Sequence, residues 1–294
     1  MKKLTTLLCV AIVGCGGGGG GGGSSSSGGG APTPFTSWSQ IVPNSTVQAS
    51  GGYTFVNSYQ ASQSSTGALI TAAFDNNKNV SMITMSTPQG SASFNVANGD
   101  SIYSALYNNV LVASNKANTA AAVFVNPAAN GWNYQTFGVW GNTGTFANSP
   151  ASAAASVGSA TPISGLPATG TALFTGNAAG IFVNTVGAAY ATDAAMSANV
   201  NFANRTVGFA TTGTIAVPVY GSGATVSAPL LNMSGNLSYA AGSSNFSGAV
   251  STTGGMTGAA AGTFYGPNAN EIGGTYGVGN AQIGAMIGGF GGKR

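Results

Sequence analysis

Residues able to do acid–base, nucleophilic or metal chemistry are scarce in this chain: four carboxylates, two cysteines and no histidine in 294 residues. The carboxylates Asp75, Asp100, Asp193 and Glu271 are scattered along the chain. They form no spaced pair for acid–base work, lie beside no nucleophile, and cannot be grouped with soft ligands into a metal site. No catalytic residue, no metal ligand and no cofactor is therefore expected. Asp75 and Asp100 sit beside Asn, Gly and Ser, the neighbours of an aspartate that caps a turn. Asp193, in Ala-Thr-Asp-Ala, is read the same way, as a loop residue.

Cys15 stands in a different context. Lys2 and Lys3 precede an apolar run at residues 4–13, far shorter than the roughly 20 residues of a membrane-spanning helix, which is the form of a secretion signal. Ile12-Val13-Gly14-Cys15 resembles the bacterial lipobox, in which the chain is cut before the cysteine and the thiol takes a thioether-linked diacylglycerol. The reaction needs a thiol at the cut site and small residues before it. Cys15 is the expected lipidation site and residues 1–14 the signal peptide. Cys9 leaves with the signal, so no disulfide is available.

The elements that would carry such an anchor follow directly. Residues 16–30 are only glycine and serine, a flexible coil whose reach grows as about 5–6 Å times the square root of its length. With residues 31–34 this makes 15–34 a tether. The body beyond it is long enough for one large all-β domain or two smaller ones. Its net charge, +3 for the whole chain, falls close to +1 once Lys2 and Lys3 are removed. Nucleic acid and anionic membrane surfaces need clustered Lys or Arg and are not indicated as partners.

Between Trp38 and Trp140, β-rich runs at 53–59, 68–74, 80–85, 91–96, 121–125 and 132–140 alternate with Asn, Gly, Ser and Pro breaks. Asp75-Asn76-Asn77-Lys78-Asn79 reads as a hairpin loop. Residues 100–117 fit either a short helix or strands. Few large side chains occur at 149–167, where a domain boundary is placed, giving a β-rich domain at 35–150. Trp132, Tyr134, Trp140, Tyr103 and Tyr107 in it are either core or a binding face. After Gly165 the alternation is cleaner: Met196, Ala198, Val200 and Phe202 interleave with Ser197, Asn199 and Asn201, a sheet packed on one face. Eight or nine such runs, around Leu173, Phe182, Val200, Val207, Leu237, Phe246, Phe264, Tyr276 and Ile287, suit an eight-stranded barrel at 165–294.

Four blocks in this half carry a family likeness: GTALFTG at 170–176, ANVNFANRTVGF at 198–209, SSNFSGAV at 243–250, and the closing pair GTFYGPNANEIGGTYGV at 262–278 and GGFGGKR at 288–294. In this order they resemble the transferrin-binding-protein B barrel family, surface lipoproteins of Gram-negative bacteria. The resemblance implies an all-β chain: an N-terminal β-rich, handle-like domain followed by a C-terminal eight-stranded antiparallel β-barrel. It implies a lipid-anchored outer-membrane protein displayed at the cell surface, a non-enzymatic binder of a host or environmental protein or haem source, linked to iron or haem acquisition. The chain has room for one lobe rather than two and lacks the family's lysine-rich loops, so transferrin binding is not carried over. Arg205 and Glu271 occupy positions where the family carries similar charges. They, or the terminal Lys293-Arg294, are expected to pair structurally across the barrel rim, because a lone charge at the start of a strand needs a partner. A monomer is expected. The competing readings are a structural envelope component or adhesin without a soluble ligand and, more remotely, a membrane-spanning barrel.

Overall fold

A computed structural model describes residues 38–57, 60–104, 106, 109–142, 152–219 and 223–294. The expected signal peptide at 1–14, the tether at 15–34, Cys15 and Tyr107 lie outside the described residues. Residues 35–294 form one compact unit. Regular structure among the described residues is β, with short 3-10 turns such as Trp38–Gln40 and Val96–Asn98.

The first half contributes β1 (Thr46–Asn57), β2 (Gln60–Phe74), β3 (Val80–Thr87), β4 (Gly90–Asn95), β5 (Ser101–Ser104), β6 (Val110–Ser114), β7 (Ala120–Val125), β8 (Gln135–Asn142) and β9 (Ala153–Gly158). They form an antiparallel sheet in the order β4-β3-β2-β1-β9-β8-β7-β6-β5. The ambiguous stretch at 100–117 resolves as a hairpin in which Tyr103 pairs with Val112. β9 lies beyond residue 150, in the Ala- and Ser-rich stretch, and fills the centre of the sheet between β1 and β8. Its Ala153, Ala154, Ala155 and Val157 are all buried. Asp75 caps the β2–β3 turn, its Oδ1 accepting the N–H groups of Asn77 and Asn79 at 2.8 Å each. Asp100 accepts from the N–H of Asn95 at 2.8 Å and of Lys116 at 2.9 Å, drawing the end of β4 toward the β6–β7 turn. The two edges of the sheet thereby approach one another, and Trp38, Phe74, Phe94 and Trp140 fill the space within.

The second half supplies β10 (Thr171–Asn184), β11 (Ala189–Asn201), β12 (Thr206–Pro218), β13 (Val226–Ser227), β14 (Met233–Tyr239), β15 (Asn245–Thr252), β16 (Thr257–Tyr265), β17 (Glu271–Asn280) and β18 (Gly284–Lys293). Their order is β11-β10-β18-β17-β16-β15-β14-β12, and pairing of β11 with β12 closes eight strands into a barrel with β13 hooked onto β12. Leu173 and Phe182, read as separate runs, share the single long strand β10. The interior is aromatic. Phe209 and Phe290 stand 4.7 Å apart at their centroids, Phe246 and Phe264 5.3 Å, and Tyr239 meets Phe264 edge-on at 5.3 Å. Each fully buried ring contributes roughly 1.5–3 kcal/mol through area, with about 0.5–1.5 kcal/mol more for a well-placed pair. Met196, Ala198, Val200 and Phe202 point into this core.

Asp193 departs from its expected place. It lies within β11, buried, at the register shift between β11 and β12, not in a loop. The polar pair Thr192-Asp193 interrupts an Ala-rich run and hides a continuous strand, because Ala carries no strand signal of its own.

Barrel and first sheet share a seam. Val110, Val112, Val123, Val125, Trp132, Phe137 and Val139 of the sheet form one apolar cluster with Ala179, Ile181, Val183, Ala191, Ala285 and Ile287 of the barrel wall. β17 and β18 are buried along nearly their whole length, one face on the barrel core and the other under the sheet. Outward glycines make room for the sheet's side chains: a Cβ at Gly289 would lie 2.5 Å from the Phe137 ring, and one at Gly291 2.3 Å from the Gln135 amide nitrogen. Gly289→Val is therefore expected to cost about 1–3 kcal/mol by overpacking. Gly208→Ala on β12, where the nearest heavy atom to the new Cβ is 3.7 Å away, is expected to be neutral or slightly stabilising. Urea unfolding of the two variants checks this, and equal midpoints would show that the seam yields freely at Gly289.

Candidate functional site

The seam opens at one end into a cleft of about 320 Å³. Its handle side is formed by Gly52 of β1, Gln63, Ser64 and Ser65 of β2, and Ser156 of β9; its floor is the outer barrel face at β15, β16 and β17, with Asn245, Ser247, Ala261, Thr263, Tyr265 and Thr275. The β1–β2 register shifts beside the cleft, where Gly52 alone faces residues 65–67 and β2 bulges. There β1 and β2 approach so closely that a Cβ at Gly52 would meet the Ser64 carbonyl at 2.8 Å, a spacing that needs glycine.

Polar contacts pin the cleft from both sides. The Thr54 and Thr275 hydroxyls hydrogen-bond at 2.7 Å in the buried seam, and Gln63 Nε2 donates to Thr54 Oγ1 at 3.2 Å. The Ser156 and Tyr265 hydroxyls meet at 3.0 Å, and Thr263 Oγ1 donates to Asn245 Oδ1 at 2.6 Å. Burial pushes the Tyr265 phenol up to about 12, against the pull of hydrogen bonds from Ser156 and Thr263. It therefore stays neutral at physiological pH. The lining bears no charged side chain. Such a surface can hydrogen-bond an uncharged polar ligand through hydroxyl and amide groups, and it offers nothing for proton transfer or for holding an ion. Among the described residues no group of three or more His, Cys, Asp or Glu is placed to hold a metal.

Glu271 sits at the start of β17, only 3% exposed. Its Oε1 accepts the N–H of Asn133 at 2.6 Å and its Oε2 that of Tyr134 at 2.9 Å, tying the barrel to the chain entering β8. Lys293 pairs with it across β17–β18 and donates from Nζ to the Gly131 carbonyl at 3.2 Å. Arg205 occupies the β11–β12 turn with φ 56°. Its carbonyl accepts from Tyr239 N–H at 3.2 Å, and its charge partly offsets the effect of burial on the Tyr239 phenol. Glu271 thus finds its partners in two backbone amides and the neighbouring Lys293, not in Arg205. Backbone donors exposed at the end of a segment satisfy a carboxylate as well as a guanidinium does. Arg294 donates instead to the Asn268 carbonyl.

Of the aromatic residues weighed as a binding face, Trp132 and Trp140 are core, while Tyr103 is 47% exposed. Nothing in the sequence marked the cleft. Its residues are single Ser, Thr, Asn and Gln in ordinary strands, and Thr54 and Thr275 lie 221 positions apart.

Burial raises the Glu271 carboxyl above its ordinary value of 4.5, and the amide hydrogen bonds and Lys293 only partly oppose this. A folded pKa above the unfolded one means stability that is complete below about 4.5 and is lost as pH rises through the folded value. Glu271→Gln turns an NH2 toward one of the two backbone N–H groups and is expected to cost about 1–3 kcal/mol. The margin of the native protein over the variant is expected to be widest at acid pH and to narrow toward pH 7. Thermal melts of both proteins across that range check it; an unchanged Tm, or a margin that widens toward neutrality, contradicts the account.

Comparison with known proteins follows the same division of the chain. Residues 166–294 match the family described as the C-lobe and N-lobe β-barrels of Tf-binding protein B. Comparison with curated proteins gives no match. Similar solved structures include a point mutant of transferrin-binding protein B from Haemophilus parasuis, 13% identical with a TM-score of 0.44, covering 86% of this chain and 59% of that one. Transferrin-binding protein B from Neisseria meningitidis is 12% identical with a TM-score of 0.39, covering 86% of this chain and 77% of that one. The N-lobe of lactoferrin-binding protein B from Moraxella bovis is 10% identical with a TM-score of 0.33, covering 86% and 99%. Four sequence blocks in order, a closed eight-stranded barrel and the profile match agree that residues 166–294 form a barrel like those of transferrin-binding protein B.

Proposed function

We propose that this chain is a surface lipoprotein, anchored in the outer membrane through a lipid on Cys15, that binds a host or environmental macromolecule without catalysing a reaction and serves iron or haem acquisition as a monomer. The observation that carries the reading is an uncharged, hydroxyl-lined cleft at the joint between a barrel of this family and the sheet preceding it. The match of residues 166–294 to the barrels of a Tf-binding protein supports the link to iron carriers. On this reading, residues 1–14 act as signal, 15–34 as tether, 35–150 together with β9 as handle, and 165–294 as barrel.

The polarity of the barrel favours a water-exposed body over a membrane-spanning one. A lipid-embedded barrel turns an apolar band outward. Here the phenylalanine rings point inward, while Asn199, Asn236, Ser238, Ser247 and Ser251 are on the outer wall, with Asn199, Asn236 and Ser247 among its exposed positions. No helix among the described residues is long and apolar enough to cross a membrane. The same uncharged wall favours the second reading, a structural envelope component or adhesin without a soluble ligand.

Pull-down from host fluids with residues 35–294 and titration with haemin separate the two. Enrichment of an iron-carrying protein or saturable haemin binding is expected, and failure of both favours the structural reading. Cys15→Ala is expected to shift the protein out of the membrane fraction, and protease shaving of intact cells is expected to degrade the native protein; survival under shaving would place it on the periplasmic face.

A further inference from the structure

The mouth of the cleft coincides with an unused strand position. β2 runs for 15 residues, Gln60–Phe74. Along one edge it pairs with β1 down to Gln60, apart from a bulge at residues 65–67 opposite Gly52. Along the other edge β3 covers it only from Leu69 onward. Among the described residues, no strand pairs with that second edge over residues 60–68. The sheet lies across the barrel with β1 over β17 and β2 over β16 and β17. A strand added to the open edge of β2 would therefore lie over β15, where Asn245 and Ser247 form the floor.

An open edge presents a row of unpaired backbone N–H and C=O groups, which an extended chain completes by strand addition. Natural sheets blunt such edges with lysine, proline or a covering loop. Residues 60–66, Gln-Ala-Ser-Gln-Ser-Ser-Thr, contain no charge and no proline. The floor matches them. Asn245 Oδ1 is engaged by Thr263, whereas no hydrogen bond among the described residues engages the Asn245 Nδ2 or the Ser65 and Ser247 hydroxyls. A lysine or glutamate of the incoming chain would lose water here without finding an opposite charge.

We propose that the open edge of β2 and the cleft beneath it bind an extended, uncharged polypeptide segment of a partner protein, about seven residues long, rich in small and hydroxyl side chains. Seven residues at roughly 3.3 Å each span about 23 Å. Main-chain pairing with residues 60–65, short of Thr66 whose N–H and C=O are taken by the Ser64 hydroxyl, supplies the affinity, and alternate side chains pointing down onto Asn245, Ser247 and Thr263 select against charge and bulk. This deepens the binding function proposed above and rests on it.

The test uses the detergent-solubilised full chain and blocked nonapeptides in which Val or Thr alternates with Ser, Gly or Asn, beside the same peptides carrying two lysines. Neutral peptides are expected to bind, and backbone amides within residues 60–65 to exchange more slowly with solvent at saturation. Ser247→Lys and Ser65→Lys, both at exposed positions, are expected to weaken binding about tenfold or more by placing an unmatched charge at the mouth. Ser91→Lys, at an exposed position of β4 outside the cleft lining, is expected to leave it unchanged. The proposal is overturned if neutral peptides do not bind, if they bind with those amides unprotected, if the lysine variants bind equally well, or if maltotriose occupies the cleft and the peptides do not. A partner captured in the pull-down while every nonapeptide fails would remove this inference and leave the binding function standing.

Discussion

The rest of the molecule depends on a hairpin that is dry on both sides. An antiparallel sheet normally keeps one wet face, and its sequence then alternates. β17 and β18 cannot alternate in polarity, because one face closes the barrel over Phe209, Phe246 and Phe264 while the other receives the handle sheet. Size alternates instead. Ile272, Tyr276, Val278, Met286 and Phe290 fill the barrel, and Gly289 and Gly291 yield space to Phe137 and Gln135. Without those glycines the sheet would be pushed off the barrel wall. The apolar cluster running from Val110 to Ile287 would open, and the joint that forms the cleft would be lost.

A seam of this kind is held by area but aligned by a few polar ties. Thr54 with Thr275, Ser156 with Tyr265, and Glu271 with the amides of Asn133 and Tyr134 cross it at different points along β16 and β17. Each hydroxyl pair adds modestly to stability, since equivalent bonds to water are given up. Their greater effect is on register, because sliding the sheet by one residue would leave several buried donors unpaired at once. Glu271 shows the cost of alignment most plainly. Its carboxylate is disfavoured by burial and retained by the two amides and Lys293. The Gln135 side chain, pressed against Gly291 and Gly273, has neither polar atom hydrogen-bonded, so the seam tolerates a local penalty where close approach demands it.

How much of this could be read beforehand follows from what each signal encodes. One-faced strands such as Met196 to Phe202 declare themselves, since period-two alternation is written in the residues. The closed barrel was legible through the number of such runs and the order of the family blocks. Asp193 was misread because β11 begins as a run of Ala and Thr with little strand signal, and the aspartate looked like a turn. β9 was passed over for the same reason. Arg205 and Glu271 were matched by charge alone, whereas the partners of Glu271 are backbone amides, which no side-chain pattern reveals. The cleft was not legible because its two sides, at residues 52–65 and 245–275, lie about two hundred positions apart in the chain and meet only in the fold.

Scarcity of charge also governs how a protein of this kind can select a partner. With four carboxylates and seven basic residues in the whole chain, long-range steering is weak, and encounter is set by diffusion and orientation. Specificity must then come from short-range terms: unsatisfied backbone groups, hydroxyls at fixed spacing, and exclusion of any group whose desolvation goes uncompensated. Such terms demand a rigid frame, because a hydroxyl displaced by an ångström no longer makes its bond. The doubly buried hairpin provides that frame. Its floor at Thr275 is fixed by Thr54, and its flank at Tyr265 by Ser156, so the surface presented beyond β2 is held by the same contacts that join the two halves.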